Sequence, residues 1–261
     1  MHRLLALLLT SAFLFGPMPA QAAIAPGAAG VLSIVPGLGQ AAEGNGLEGL
    51  AWFASSAGLY FSGNSYARNI GWEIWQYNMY DAYRDAGAKD TSKENVLQNG
   101  IAPLNPVNLL DPISVGIVGF GFYSKGGKNT ARQGPVNKLG GAFLFAMVGL
   151  GEEGLFRGFL FPAFSHVTGS YTVGAITSSA AFAAFHLGNK DGYYRSAGGL
   201  GTIFAAGLLF CLQTYMQKFD LRHSIFAHAW FDFTVEYLHI GSNEQRTAEN
   251  GIPTLRYNYE F

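Results

Sequence analysis

Two glutamates and an arginine interrupt a long apolar stretch of this chain: Glu152, Glu153 and Arg157 stand inside the run from Leu139 to Phe161. The flanks, Gly141 to Leu150 and Phe159 to Phe161, carry no charge. A charged side chain at the middle of a bilayer costs about 2.5–3.5 kcal/mol on insertion scales. Three such groups within a turn and a half therefore need partners. Glu153 and Arg157 are four residues apart with the acid first, the favourable order for an ion pair on one helical face. Glu152 is then the spare carboxylate, about 100° further round the helix and suited to a general base.

Composition makes a membrane the expected setting. Charged residues are 13% of the 261 residues against 49% hydrophobic, about half the usual charged share. The few charges must cluster, and they leave apolar stretches at Ile113 to Tyr123, Leu139 to Phe161, Tyr171 to His186, Leu200 to Met216 and Ser224 to Ile240. Between the first two, Ser124 to Lys138 holds Lys125, Lys128, Arg132 and Lys138 with no acid, which marks a cytoplasmic loop. The expected fold is all-α, a polytopic transmembrane helical bundle with the lipid bilayer as its surroundings. A net charge of −1 gives no reason to expect a nucleic-acid partner. Cys211 is the one cysteine, so neither an intramolecular disulfide nor a cysteine-based zinc site can form.

The first half reads differently. Arg3, the apolar run Leu4 to Gly16 and the small residues at Ala20-Gln21-Ala22 form a signal peptide or an uncleaved signal anchor over residues 1–22, directed most plausibly to a bacterial inner membrane. Val31 to Gln40, broken by Pro36-Gly37, and Leu47 to Phe61 are each short for a span, which favours a re-entrant or hairpin arrangement. From Asn64 to Gly100 the chain is polar and aromatic, with Trp72, Trp75, Met79 and Tyr83 at helical spacing. That stripe predicts an amphipathic helix at the membrane surface or, alternatively, a helix packed on the bundle. The prolines of Ile101 to Pro112 predict a loop. The expected organisation is thus the targeting segment, a membrane-associated helical region over 23–138, a transmembrane domain over 139–240 and a polar tail over 241–261.

The chemistry-bearing residues fall on separate expected helices. Phe182-Ala-Ala-Phe-His186 closes one; His228-Ala-Trp-Phe-Asp232 lies on the last. His228 and Asp232, four apart, share a face and could hold a water or a metal. Polar groups in a bilayer turn toward one another, so Glu152, His186, His228 and Asp232 form a candidate convergent set. His2, His166, His223 and His239 sit at or near expected segment ends and read as interfacial.

In this order, Glu-Glu-x-x-x-Arg, Phe-x-x-x-His and His-x-x-x-Asp over Leu139 to Ile240 resemble the three motifs of the CAAX prenyl protease 2-like family of intramembrane peptidases. The resemblance implies hydrolysis of a peptide bond in a membrane-embedded or lipid-modified peptide or protein. Glu152 would be the base, His186 would help bind or activate the water, and His228 with Asp232 would stabilise the oxyanion or complete a metal site. Glu152, His186 and His228 would suit a zinc ion, and the same groups could equally work without metal. Asp232 stands where many relatives have Asn. An ionised Asp cannot donate to an oxyanion, so it must be protonated, hold His228 in its tautomer or bind metal. Two other classes use the same residues: a non-catalytic immunity-type or scaffold membrane protein, and an ion transporter.

Overall fold

The computed structural model describes residues 24–124, 135–188 and 195–237. The targeting segment 1–22, the basic loop at 125–134 and the tail 241–261 lie outside the described residues. Among the described residues every regular element is helical. The chain divides into two compact units, one ending at Lys89 and one beginning at Asp90.

In the first unit, α1 (Pro26–Leu32) and α2 (Leu38–Ala42) are separated at the Pro36-Gly37 break, followed by α3 (Gly46–Tyr60) and α4 (Ser65–Asp85). Proline suits the first turn of α1 because its missing N–H has no helical acceptor there. Gly37 adopts φ 79°, a left-handed turn that glycine tolerates best. Asn64 caps α4 by accepting from the Tyr66 and Ala67 amides. Of the aromatic stripe on α4, Trp72, Trp75 and Met79 are half-buried and Tyr83 is buried. The face with Glu73, Gln76, Asn78 and Asp81 is buried as well. Its polar groups find partners across the unit: the Gly37 amide donates to Asn78 at 2.9 Å, and Trp52 Nε1 donates to Asp81 Oδ2 at 2.9 Å. Gln40 Nε2 donates to the same Asp81 oxygen at 3.3 Å. The helix expected at the membrane surface or packed on the bundle is packed on α1 and α3, where its buried polar side chains find the neighbours that satisfy them. Apolar side chains instead face outward, with Ile34 55% and Phe61 80% exposed.

In the second unit, short α5 (Val96–Gly100) leads into two 3₁₀ turns, Ala102–Leu104 and Pro106–Leu110, over the proline-rich stretch. Then come α6 (Pro112–Ser124) and α7 (Pro135–Glu153), which continues through a π-helical segment, Gly154–Leu160, into α8 (Phe161–Thr168). Gly169 at φ 68° ends that run. The remaining helices are α9 (Tyr171–Phe185), α10 (Ala197–Met216) and α11 (Arg222–Asp232), which passes into a second π segment, Phe233–Tyr237.

Among the described residues the expected apolar stretches are helical, and two helices there are long and apolar enough to cross a membrane: Leu139–Thr168 and Ala197–Met216. A crossing takes about 20 residues, whereas α6, α9 and α11 have 13, 15 and 11. By length and composition, two crossings are thus available among the described residues. The unit is tied internally by close backbone approach and by one polar knot. Gly207 of α10 faces Ser179 of α9, where an added Cβ would lie 2.9 Å from the Ser179 Cβ. Asp111 accepts from the Ser114 amide at 2.9 Å, from Gln213 of α10 and from Gln217 just after it, pinning the start of α6 to the end of α10.

Candidate active site

The site begins where α7 crosses α11 at Gly149. A Cβ at that position would lie 2.9 Å from the Ile225 carbonyl oxygen and 3.2 Å from the Ala229 amide nitrogen, so a hydrogen there permits the crossing. One turn further along α7, Glu153 reaches His228 of α11, with Oε1 2.7 Å from Nδ1. An ionised carboxylate only accepts, so Nδ1 carries the hydrogen and Nε2 is turned the other way. Nε2 lies 3.6 Å from Glu152 Oε2 and 3.5 Å from Asp232 Oδ2. Those separations exceed a normal hydrogen bond and leave the nitrogen flanked by two carboxylates.

The oxygen that holds His228 also lies 3.0 Å from Arg157 Nη1, and both partners of this ion pair are fully buried. Arg157 is compensated by aromatic faces. Its guanidinium carbon is 4.2 Å from the Phe182 ring centroid and 4.9 Å from that of Phe210, the geometry of cation–π attraction. Both helices that carry site carboxylates change to π geometry immediately after them, at Gly154 and at Phe233. Such segments are rare and gather at functional sites.

His186 stands at the end of α9, its Nδ1 2.8 Å from the Phe182 carbonyl oxygen. A carbonyl can only accept, so Nδ1 bears the proton and Nε2 is the acceptor of the neutral ring. Its ring meets the Phe182 ring edge-on at 4.7 Å, and Phe182 meets the His228 ring at 6.0 Å. Phe182 therefore touches Arg157, His186 and His228, one residue from each of the three sequence motifs.

The structure thus brings together Glu152, Glu153, Arg157, His228 and Asp232, and links His186 to them through Phe182. The sequence reading of Glu153 and Arg157 as a pair holds, and it missed the second partner of Glu153. Asp232, considered as a holder of the His228 tautomer, lies beside Nε2 while Glu153 takes Nδ1. Phe182 could be found from its place in Phe-x-x-x-His; nothing in the sequence marks Phe210. His166 lies apart, its Nε2 3.2 Å from Asp90, and His223 sits in the first turn of α11 beside Arg222.

A zinc ion needs ligand atoms gathered around one point. Among the described residues Glu48, Asp81 and Asp85 bring one ligand atom each within 4.8 Å of one another. Glu152, His186 and His228 are not gathered within that distance of one another.

Residues 136–234 match the family model described as Type II CAAX prenyl endopeptidase Rce1-like, a stretch that contains all three motifs. Comparison with curated proteins and with solved structures gives no significant match. Over residues 136–234 the chain is therefore similar to the Rce1-like type II CAAX prenyl endopeptidases, the family its three motifs resemble.

Proposed function

We propose that this protein is an integral membrane endopeptidase that hydrolyses a peptide bond of a membrane-embedded or lipid-modified substrate, using Glu152 as the general base. The observation that carries this reading is the buried His228 ring, held through Nδ1 by Glu153 while Nε2 faces Glu152 and Asp232. A structural ion pair would need Glu153 and Arg157 alone; it gives no reason for a second carboxylate and an imidazole to be buried beside them.

Glu152 takes a proton from water, and the water oxygen bonds to the carbonyl carbon of the scissile peptide as the C=O electron pair moves to oxygen. Nε2 of His186, the acceptor nitrogen of its ring, holds the water by taking a hydrogen bond from it. The oxyanion forms on the His228 side of the site, where a ring protonated at both nitrogens, as the three carboxylates around it favour, donates to it from Nε2. Glu152 then returns the proton to the amide nitrogen, the oxyanion re-forms the C=O as the C–N bond breaks, and a carboxylic acid and an amine leave, the acid's proton passing to the amine. Burial excludes bulk water and strengthens each of these interactions.

A comparison of whole cells tests this with the substrate still unidentified. Cells making the wild type or Glu152→Gln at equal levels are compared by mass spectrometry for new termini in membrane proteins. Termini that appear with the wild type and vanish with Glu152→Gln support the reading. Identical termini from both proteins point instead to a scaffold or immunity-type role and end the peptidase assignment.

A further inference from the structure

Phe210 lies on α10, outside all three motifs, and yet its ring is part of the site. It is 4% exposed and packs with Ile117 and Ala227. Its ring stacks on the His228 imidazole with centroids 5.2 Å apart and planes at 21°. The Arg157 guanidinium carbon is 4.9 Å from the centroid of this ring.

The hydrogen bond to Glu153 fixes the position of Nδ1 but leaves the imidazole able to tilt, and tilting carries Nε2 away from its place between Glu152 and Asp232. Resistance to tilt has to come from the faces and edges of the ring. Phe182 meets His228 edge-on, at 89°, and also serves Arg157 and His186. Phe210 provides the parallel face. We infer that Phe210 is a positioning residue, whose ring sets the plane of His228 and braces the Arg157 end of the Glu153 ion pair in the same contact. An aliphatic side chain of similar size fills the space but has neither a flat face nor a ring quadrupole to offer the guanidinium. The inference rests on the proposed peptidase reading for its consequence in catalysis; its claim about the His228 ring stands on geometry.

The experiment uses the full chain in lipid bilayers, with a membrane peptide identified from the cellular comparison as substrate. Phe210→Leu removes the ring, and Phe210→Tyr keeps it. Phe210→Leu is expected to lower kcat about tenfold or more with KM within about twofold, the mark of lost alignment rather than lost binding. Phe210→Tyr should stay within about threefold of the wild type. A second readout is independent of turnover: the imidazole ¹⁵N resonances of His228, assigned by their loss in His228→Gln. These should broaden or split in Phe210→Leu and stay put in Phe210→Tyr.

The inference is overturned if Phe210→Leu leaves both kcat and the His228 resonances unchanged. It is equally overturned if the two variants lose activity alike while His228 is undisturbed, because that is a general packing defect. Should the wild type cleave nothing, the peptidase reading fails, and the ¹⁵N comparison still decides whether Phe210 sets the ring.

Discussion

Oε1 of Glu153 lies 2.7 Å from Nδ1 of His228 and 3.0 Å from Arg157 Nη1. One carboxylate oxygen thus orients the imidazole on another helix and neutralises a buried guanidinium on its own. Removing one partner of a buried ion pair costs about 3–5 kcal/mol, whereas replacing both with apolar groups is often neutral. Glu153→Gln is therefore expected to lower stability by about that amount. Adding Arg157→Met should recover most of it without restoring activity. Denaturation in detergent checks this, and a loss below about 1 kcal/mol would mean that Phe182 and Phe210 satisfy Arg157 by themselves.

Glu152 faces Nε2 of His228, and the Arg157 ion pair is completed by its neighbour Glu153. Glu152→Gln should leave the melting temperature within about 2 °C of the wild type. Its kcat should fall about 100- to 10,000-fold, the usual share of a general base. A collapse of stability would make Glu152 a structural group instead.

Asp232 offers a sharper choice. Its Oδ2 lies 3.5 Å from His228 Nε2, where an amide would present a donor and a carboxylate presents an acceptor. If the position serves the oxyanion, Asp232→Asn should match or exceed the wild-type kcat and Asp232→Ala should fall about 100-fold. Equal losses in both variants would show that the negative charge itself is needed.

The crossing at Gly149 can be tested against a control on the same helix. Gly149→Ala pushes a methyl group to 2.9 Å from the Ile225 carbonyl oxygen, whereas nothing lies within 4 Å of a Cβ added at Gly140. Overpacking of this kind costs about 1–3 kcal/mol, and separation of the helices should also cut kcat. Gly140→Ala should be neutral or slightly stabilising. Similar behaviour of the two variants in melting and turnover would remove the crossing from the account of the site.

The first unit should respond to pH through Asp81. Burial raises the Asp81 carboxyl to about 7 despite the opposing pull of Arg84, whereas an unfolded aspartate titrates near 3.9. The folded state therefore binds the proton more tightly, and its stability contribution is complete below about pH 4 and lost as pH rises to about 7. Asp81→Asn should flatten the fall in melting temperature between pH 5 and pH 8. An unchanged slope would assign the dependence elsewhere, with Glu43, also raised to about 7, the next group to replace.

Local chemistry carried much of this into the sequence, and distance hid the rest. Apolar runs mark the helices of the second unit, Pro36-Gly37 marks a break, and the four-residue spacing of Glu153 and Arg157 marks their pair. Residues joined across long separations leave no such trace. Trp52 and Asp81 are 29 apart, and Glu153 and His228 are 75 apart. The partners of the polar residues of α4, Gln40 and Trp52, lie on other helices and leave no mark at this spacing. Length is a separate matter from composition: an apolar run shows what can be buried, while length decides what can cross, and α9 has 15 residues.

Phe182 has a mechanical consequence. One ring leans on Arg157, His186 and His228 at once, so any displacement of α9 at this point is shared by the cation and by both imidazoles. The arrangement works like a keystone: the three motifs shift in concert or hold in concert.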